Sequence, residues 1–332
     1  MLEKKIAVVI LNWNGQELLK QFLPSIIKYS QEATIYVVDN ASTDDSVLCI
    51  KLHFPTIKII QNKYNYGFAK GYNEALKFVD EEIYALVNSD IEVTENWLEP
   101  IISLFEIEAQ TAIIQPKILD FKNKEYFEYA GAAGGFIDKY AYPFCRGRIF
   151  ETLEKDNGQY NDTIEIFWAS GACFFIRKEV FLELKGFDAD FFAHQEEIDL
   201  CWRAFNKGYV TKYHSKSTVY HIGGATLQEG NPKKTFLNFR NSLWMMLKNL
   251  PKSILIQTLL IRMLLDGVAA FRFLFQGKIS HFFAVGKAHL YLYMSFFNFL
   301  KKRDSHQSKK YYKIKSIVYR YFINNGKVFD HL

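Results

Sequence analysis

Two adjacent carboxylates, Glu196 and Glu197, are followed two residues on by a third, Asp199. The surrounding pattern predicts a helix opening near Gln195, and acids in a first helical turn are favoured by the helix dipole and its unpaired N–H groups. That alone would explain a single acid. Here Phe191, Phe192 and His194 precede the pair and Leu200-Cys201-Trp202 follows it, so the carboxylates stand at the rim of an apolar wall. Such burial raises a carboxyl pKa and suits the group to act as a general base. Three further residues offer chemistry: Asp39 and Asp90, each just after an apolar run, and His221, just before Gly223-Gly224. Loop capping accounts equally well for single acids after strands, and a lone histidine is most often structural. These three gain meaning only from the pattern around them.

The elements that must position them are legible as apolar runs. Residues 6–11 read as a buried strand of a parallel sheet, ending in Asn12-Trp13-Asn14-Gly15 before a helix from about Gln16. Residues 34–38 form a second run, ending in Asp39-Asn40-Ala41-Ser42, and residues 57–60 a third. Asn65-Tyr66-Gly67-Phe68 then opens another helix, and residues 84–87 lead to Asn88-Ser89-Asp90. Strand and helix alternate, as in an α/β sheet with right-handed crossovers, and polar residues collect where such sheets bind ligands. Residues 113–119 predict a further strand, residues 126–148 an antiparallel excursion with Gly-rich turns, and residues 151–162 a polar, mobile loop. Trp168 is read either as a sugar-stacking surface or as a buried structural residue. The strand ending near Arg177 leads to the turn Gly186-Phe187-Asp188, and residues 218–220 form the strand before His221.

Several function classes are disfavoured. The first strand is followed by N-W-N-G-Q-E and not by G-x-G-x-x-G, which argues against a dinucleotide oxidoreductase, and no G-x-x-x-x-G-K-[ST] loop is present. The four cysteines, Cys49, Cys145, Cys173 and Cys201, lack metal-finger spacing and read as buried, reduced thiols of a cytosolic chain. The N-terminus reads as a first strand and not as a signal peptide.

The stretch from residue 168 onward resembles the family 2 glycosyltransferases of the GT-A fold, especially rhamnosyltransferase-like enzymes of bacterial surface polysaccharides. The resemblance rests on Ser170-Gly171-Ala172-Cys173, Gly186-Phe187-Asp188, Phe191-Phe192, Glu196-Glu197, Asp199-Leu200-Cys201, Arg203, Gly208-Tyr209 and His221 in order, and covers roughly residues 5 to 245. One departure is the second acid of the pair, which is more often Asp. The resemblance implies an α/β fold of GT-A type, a mixed sheet flanked by helices, with a C-terminal helical extension. It implies an inverting transferase that moves a sugar from a nucleotide diphosphate donor, dTDP-rhamnose or a UDP-sugar, to a glycan hydroxyl. Glu197 would be the base and Glu196 would position the acceptor, the base or Arg203. Asn12, Trp13, Asn14, Asp39 and Ser42 would frame the base and ribose, and Asn65, Gly67 and Phe68 would approach the ribose and pyrophosphate. Asn88, Ser89 and Asp90 stand where the family has its metal motif, so Asp90 and His221 would hold Mg2+ or Mn2+. The Gly223-Gly224 pair would let phosphate approach closely, and Trp168, Gly171, His194 and Arg203 would line the acceptor side. A non-catalytic module binding sugar nucleotide or glycan is the alternative. A sugar nucleotidylyltransferase would need a Gly-rich basic signature after its first strand, which is missing.

The charge divides the chain. Residues 1–232 carry 23 basic and 33 acidic groups, net −10, whereas residues 233–332 carry 18 basic and 3 acidic, net +15. We therefore expect a catalytic domain over 1–232 and a basic helical region over 233–332. Residues 235–249, 253–275 and 281–300 read as helices, and 301–332 as a partly ordered basic end. Apolar faces broken by Arg262, Arg272, Lys278 and Lys287 suit helices lying on an anionic membrane surface, at the cytoplasmic face of a bacterial inner membrane where a lipid-linked glycan would be presented. Helices packed on the catalytic domain, or a homodimer, are the alternatives. Nothing in the tail reads as a nucleic-acid recognition motif.

Overall fold

In the computed structural model, residues 5–223 and 230–332 are described. The chain opens with β1 (Ile6–Asn12), α1 (Gln16–Tyr29), β2 (Ala33–Asp39), α2 (Ser46–His53), β3 (Lys58–Gln61), α3 (Gly67–Ala75) and β4 (Ile83–Asn88). β1 is apolar without alternation because it is covered on both faces and paired on both edges, in parallel, with β2 and β4. Its register places Asn12 opposite Asp39 and Leu11 opposite Asn88, so the polar residues that end these strands emerge along one edge.

The chain continues through β5 (Ile91–Val93), α4 (Glu99–Ile107) and β6 (Thr111–Asp120). A small second sheet follows, made of β7 (Gly135–Ile137), β8 (Pro143–Cys145), β9 (Arg148–Ile149) and β10 (Thr152–Leu153). β11 (Thr163–Ile166), β12 (Cys173–Arg177), α5 (Lys178–Glu183), α6 (Glu196–Asn206) and β13 (Val210–His221) complete this part. The main sheet runs β11-β13-β6-β12-β4-β1-β2-β3, with β5 paired to β13. β12 is antiparallel to β4, and this reversal brings its beginning beside the end of β4, where the Asn88 N–H donates to the Ala172 carbonyl at 2.9 Å. β13 pairs His221 with Ile91, one residue past Asp90. Strand pairing alone thus gathers Asn12, Asp39, Asn88, Asp90, Gly171 and His221 at one edge.

The expected mobile loop at 151–162 is corrected. Lys117 reaches Asp156 at 2.7 Å with both side chains largely buried, Arg146 grips Asp162 through two hydrogen bonds of 2.9 and 2.8 Å, and Tyr160 is buried. Polar composition misled here because the partners lie far away in sequence.

Four helices follow: α7 (Pro232–Asn249), α8 (Leu255–Phe275), α9 (Ile279–Lys301) and α10 (Ile317–Phe322). Leu243, Trp244, Met245, Met246 and Leu247 of α7 join the core that also holds sheet and α6 side chains, including Phe174 and Trp202. Arg262, whose charge suggested an exposed face, is instead buried against Asp266 at 2.8 Å, and the Tyr142 hydroxyl donates to the same carboxylate at 2.8 Å. The C-terminal end is likewise more ordered than its composition suggests. Tyr311 stacks on Trp202 with centroids 5.1 Å apart, the Ile317 N–H donates to buried Asp138 at 2.9 Å, and Phe329 packs on Phe136. Among the described residues no helix is long and apolar enough to cross a membrane.

Candidate active site

The edge at β1 and β2 is built to receive hydrogen-bond donors. Asn12 and Asp39 are buried side by side, and Oδ1 of each has no protein partner. Their other polar atoms are used: Asn12 Nδ2 donates to Ser42 Oγ at 3.3 Å, and Asp39 Oδ2 accepts from the Ser42 N–H at 3.2 Å. Ser42 Oγ also accepts the Asn14 N–H at 2.9 Å, while Trp13 stands half exposed at the rim. A buried acceptor without a donor is costly, so two neighbouring ones mark a place for a ligand or water.

Asn40, which sequence reasoning passed over as part of a strand end, is the hub of this edge. Its Nδ2 donates to Asn65 Oδ1 and to the Gly67 carbonyl at 3.0 and 3.1 Å, and its Oδ1 accepts from Asn62 Nδ2 and the Tyr66 N–H at 3.0 and 3.2 Å. The only sequence signal was its place in the polar run after β2. Gly67 has φ of +73°, and a Cβ there would lie 2.7 Å from Phe192, so no other residue fits. Phe68 donates its N–H to the Phe192 carbonyl at 2.9 Å and sets its ring edge-on to Tyr72 and Phe187.

Across the cleft, α6 presents the paired acids. Glu197 is partly open, and a Cβ on Gly171 would sit 3.6 Å from its Cδ and 3.6 Å from Phe68 Cζ. Glu197, Gly171 and Phe68 therefore surround one small space. Burial pushes the Glu197 carboxyl up to about 7, and backbone N–H groups of the first helical turn offset part of the rise. Glu196 is buried, with Oε2 unpartnered, and is raised well above the carboxylate range by burial and then by Glu197. The turn entering α6 holds Phe192, His194 and Gln195 at positive φ. Asn241 of α7 fastens it, with Nδ2 within 3.0, 2.9 and 2.7 Å of the carbonyls of Phe191, Ala193 and His194. Asp199, the third acid, is a strut: it accepts from Arg203 Nε, Lys248 Nζ and Asn249 Nδ2, each at 2.8 Å. Lys248 and Arg203 hold it below the usual range despite burial.

At the third corner, His221 lies between two carboxylates. Its Nε2 is 3.1 Å from Asp90 Oδ1 and its Nδ1 is 3.2 Å from Glu128 Oε1, all three side chains being almost fully buried. Burial lowers the imidazole pKa, but the two carboxylates outweigh it and raise it to about 10. Octahedral ions of Mg2+ size bind oxygen at about 2.1 Å, so donors on adjacent vertices lie about 3 Å apart. Asp90 Oδ1 and His221 Nε2 have that spacing, while Glu128 flanks Nδ1 as an ion-pair partner without a well-aligned hydrogen bond. Among the described residues no group of three or more His, Cys, Asp or Glu is arranged to hold a metal ion, so an ion here would need further ligands from outside the protein. Glu128 escaped the sequence reading; its one signal was an acid set among the aromatics Tyr126, Phe127 and Tyr129. It also explains Gly223, whose φ is +73° and whose Cβ would lie 3.1 Å from Glu128 Oε1. Gly224 lies outside the described residues.

With this geometry in view, the comparisons with known proteins decide the family. The model for "Glycosyl transferase family 2" matches residues 7–185. The chain belongs to glycosyltransferase family 2. The enzyme is 25% identical to the low-salt glycan biosynthesis hexosyltransferase Agl10 of Haloferax volcanii over 287 residues, 83% of this chain and 87% of that one. It is 19% identical to the N-acetylglucosaminyl-diphospho-decaprenol L-rhamnosyltransferase of Mycobacterium tuberculosis over 232 residues, 65% of this chain and 75% of that one. In fold it is similar to a mannosyltransferase from Pyrobaculum calidifontis in complex with GDP-Man and Mn2+, with TM-score 0.52, 14% identity and coverage of 90% and 83%. The fold is thus of GT-A type, and this family 2 glycosyltransferase acts in glycan synthesis.

Two residues expected on the acceptor side of the glycosyltransferase lie elsewhere. Trp168 is buried, donates Nε1–H to the Phe136 carbonyl at 2.8 Å and packs over Gly135, so it is core and not a sugar platform. Arg203 spends its donors on Asp199 and on the carbonyls of Leu184 and Gly186, so it braces α6, and Glu196 does not position it. His194 stays near the cleft, partly exposed; its Nε2 has no protein partner, and burial lowers its pKa to about 4.

Proposed function

We propose that the protein is an inverting transferase that moves a sugar from a nucleotide diphosphate donor to a hydroxyl of a lipid-linked glycan. The observation that carries this reading is the spacing of Asp90 and His221, 3.1 Å apart, on the same sheet edge as the unpartnered oxygens of Asn12 and Asp39. Those oxygens suit the N–H of a base and a ribose hydroxyl, with Asn14, Ser42, Trp13 and the Asn65-Gly67-Phe68 turn around them. Asn88 and Ser89 would lie against the donor. Asp90 and His221 would hold a divalent ion, which supplies positive charge to the diphosphate as it leaves. Glu197 accepts the proton of the acceptor hydroxyl, whose oxygen then forms the new bond at the anomeric carbon. The bond from that carbon to the diphosphate oxygen breaks on the opposite face, and its electron pair leaves with the nucleotide.

The apolar surroundings that lift the Glu197 pKa match the base to neutral pH, and Gly171 leaves room for the acceptor between Glu197 and Phe68. The decaprenol-linked acceptor named for the mycobacterial relative and the Mn2+ named for the archaeal mannosyltransferase support a lipid-linked acceptor and a divalent ion here. Rhamnose as the sugar rests on the same relative. The test is a donor screen: purified protein with dTDP-, UDP- and GDP-sugars, Mg2+ or Mn2+, and a lipid-linked acceptor, scored for nucleotide diphosphate release. We expect release from one donor, abolished by chelator and by Asp90→Ala. Release that persists through both treatments would remove Asp90 and the metal from the reading.

A further inference from the structure

We propose that α8 and α9 form a docking face for a lipid bilayer bearing anionic headgroups, placed beside the acceptor side of the active site. The proposal rests on the reading of a lipid-linked acceptor for its purpose, but the face is argued from geometry alone. A helix at a protein surface normally turns its polar side outward. These two expose a stripe of large apolar side chains instead. On α8, the outward positions Ile256, Leu260, Leu264, Val268, Phe271 and Phe275 follow one another at spacings of three and four, with Leu264 72% and Phe275 87% exposed. The ionic groups Arg262 and Asp266 are buried on the inward side of the same helix. On α9, Phe283, Leu290, Met294 and Phe297 repeat the pattern, 66%, 56%, 71% and 74% exposed. The stripes are continuous, because Leu260 and Met263 of α8 and Tyr293 and Phe297 of α9 line one open apolar groove.

Charge chooses the occupant. Lys252, Arg272, Lys278, Lys287 and Lys301 are exposed on these helices and their ends, and the sole acid from residue 232 to 303, Asp266, is buried. A second copy seated face to face would oppose like charges, whereas anionic lipid attracts each basic group near the surface. Two exposed apolar stripes with a basic border match helices that lie in the interface without crossing it.

Contacts at the α8–α9 turn link the face to the segment beside the cleft. His281, beside the turn, packs on Phe273 and bonds Thr235 Oγ1 at 2.8 Å and the Gly230 carbonyl at 3.0 Å. Lys233, next to that contact, lies 5.6 Å over the ring of Phe192, whose carbonyl holds Phe68 in the site. The end of the stripe with Phe275 and Phe283 is therefore linked, through His281, Thr235 and Lys233, to Phe192 in the turn that precedes Glu197. A bilayer on this face would present a lipid-linked hydroxyl from the side on which the base waits.

The experiment is flotation of the full chain with phosphatidylglycerol-containing and pure phosphatidylcholine vesicles, at low and high salt. We expect flotation with the anionic vesicles, weakened at high salt, and an at least tenfold loss in the double variant Leu264→Glu, Phe275→Glu. The control Leu52→Glu, an exposed leucine on α2, should float as wild type does. No flotation, equal loss in the control, or a stable dimer that the double variant dissociates would overturn the proposal. Nucleotide release with a water-soluble acceptor, measured on the same samples, separates the two readings. If the double variant floats poorly but releases normally, docking is supported apart from the chemistry; if wild type floats but never releases, the transfer reading fails and docking stands.

Discussion

At the scale of single residues, the pair Glu196 and Glu197 shows how one helix gives neighbouring acids different tasks. Glu196 points into the protein, where burial and then Glu197 raise its pKa well above the carboxylate range, while Glu197 remains open to the cleft with a pKa of about 7. Only the ionised form of Glu197 can take a proton, so kcat/KM should fall as pH drops below about 7. In Glu197→Gln we expect kcat to fall by about 10²- to 10⁴-fold with nucleotide affinity little changed, and the acid limb to disappear from the residual pH profile. Steady-state kinetics and nucleotide titration check both. Near-normal turnover in Glu197→Gln together with its loss in Glu196→Gln would exchange the two roles.

At the scale of elements, the placement of Glu197, the proposed base, depends on a helix that the charge boundary assigned to another region. α7 holds Asp199 from below through Lys248 and Asn249 and fastens the turn before Glu196 through Asn241. Phe192, His194 and Gln195 sit at positive φ, which a β-carbon disfavours, so the turn persists only while those bonds restrain it. Asn241→Ala would leave carbonyls unpaired in a buried site, at a cost of about 1–3 kcal/mol. We expect lower kcat at unchanged donor affinity and faster amide exchange at 192–195. Unchanged exchange there would show that the turn is set by other contacts. Much at this scale was legible in sequence: the first four strands and the helix near Gln195 are marked by apolar runs and turn residues. The pinned segment 151–162 and the packed end after residue 301 were not, because polar composition does not reveal distant partners such as Lys117, Arg146 and Trp202.

For the whole molecule, the C-terminal helices complete the core while leaving their own outer faces apolar. Trp244 of α7 stacks on Phe299 of α9 at 4.3 Å, and Arg303 caps the end of α7 by donating to the Leu247 and Leu250 carbonyls. Losing one such buried aromatic costs about 3–5 kcal/mol, against a typical stability of about 5–15 kcal/mol. A chain ending at residue 249 should therefore aggregate or lose its cooperative thermal transition, and would not be a soluble enzyme lacking only its affinity for lipid. Size exclusion and thermal unfolding check this. A monomeric truncation with wild-type Tm would make the tail a separable appendage.

The sequence by itself determined the α/β order, the acid pair at a helix mouth, the polar strand ends and the charge boundary near residue 232, because each is written in local spacing. It also placed Asp90 and His221 in one role through resemblance. Only the tertiary structure decided that Glu128 flanks His221, that Asn40 ties the polar edge after β1 and β2 together, and that Trp168 and Arg203 are structural. Antiparallel pairing of β12 with β4 and the return of β13 beside β5 bring together residues from 86 to 130 positions apart, and no local pattern encodes such pairings. Which side of α8 and α9 faces outward was decided the same way: both sides are apolar in sequence, and the packed core takes the side of α8 that carries Arg262 and Asp266 and the side of α9 that carries Ala284, Ala288 and Leu292.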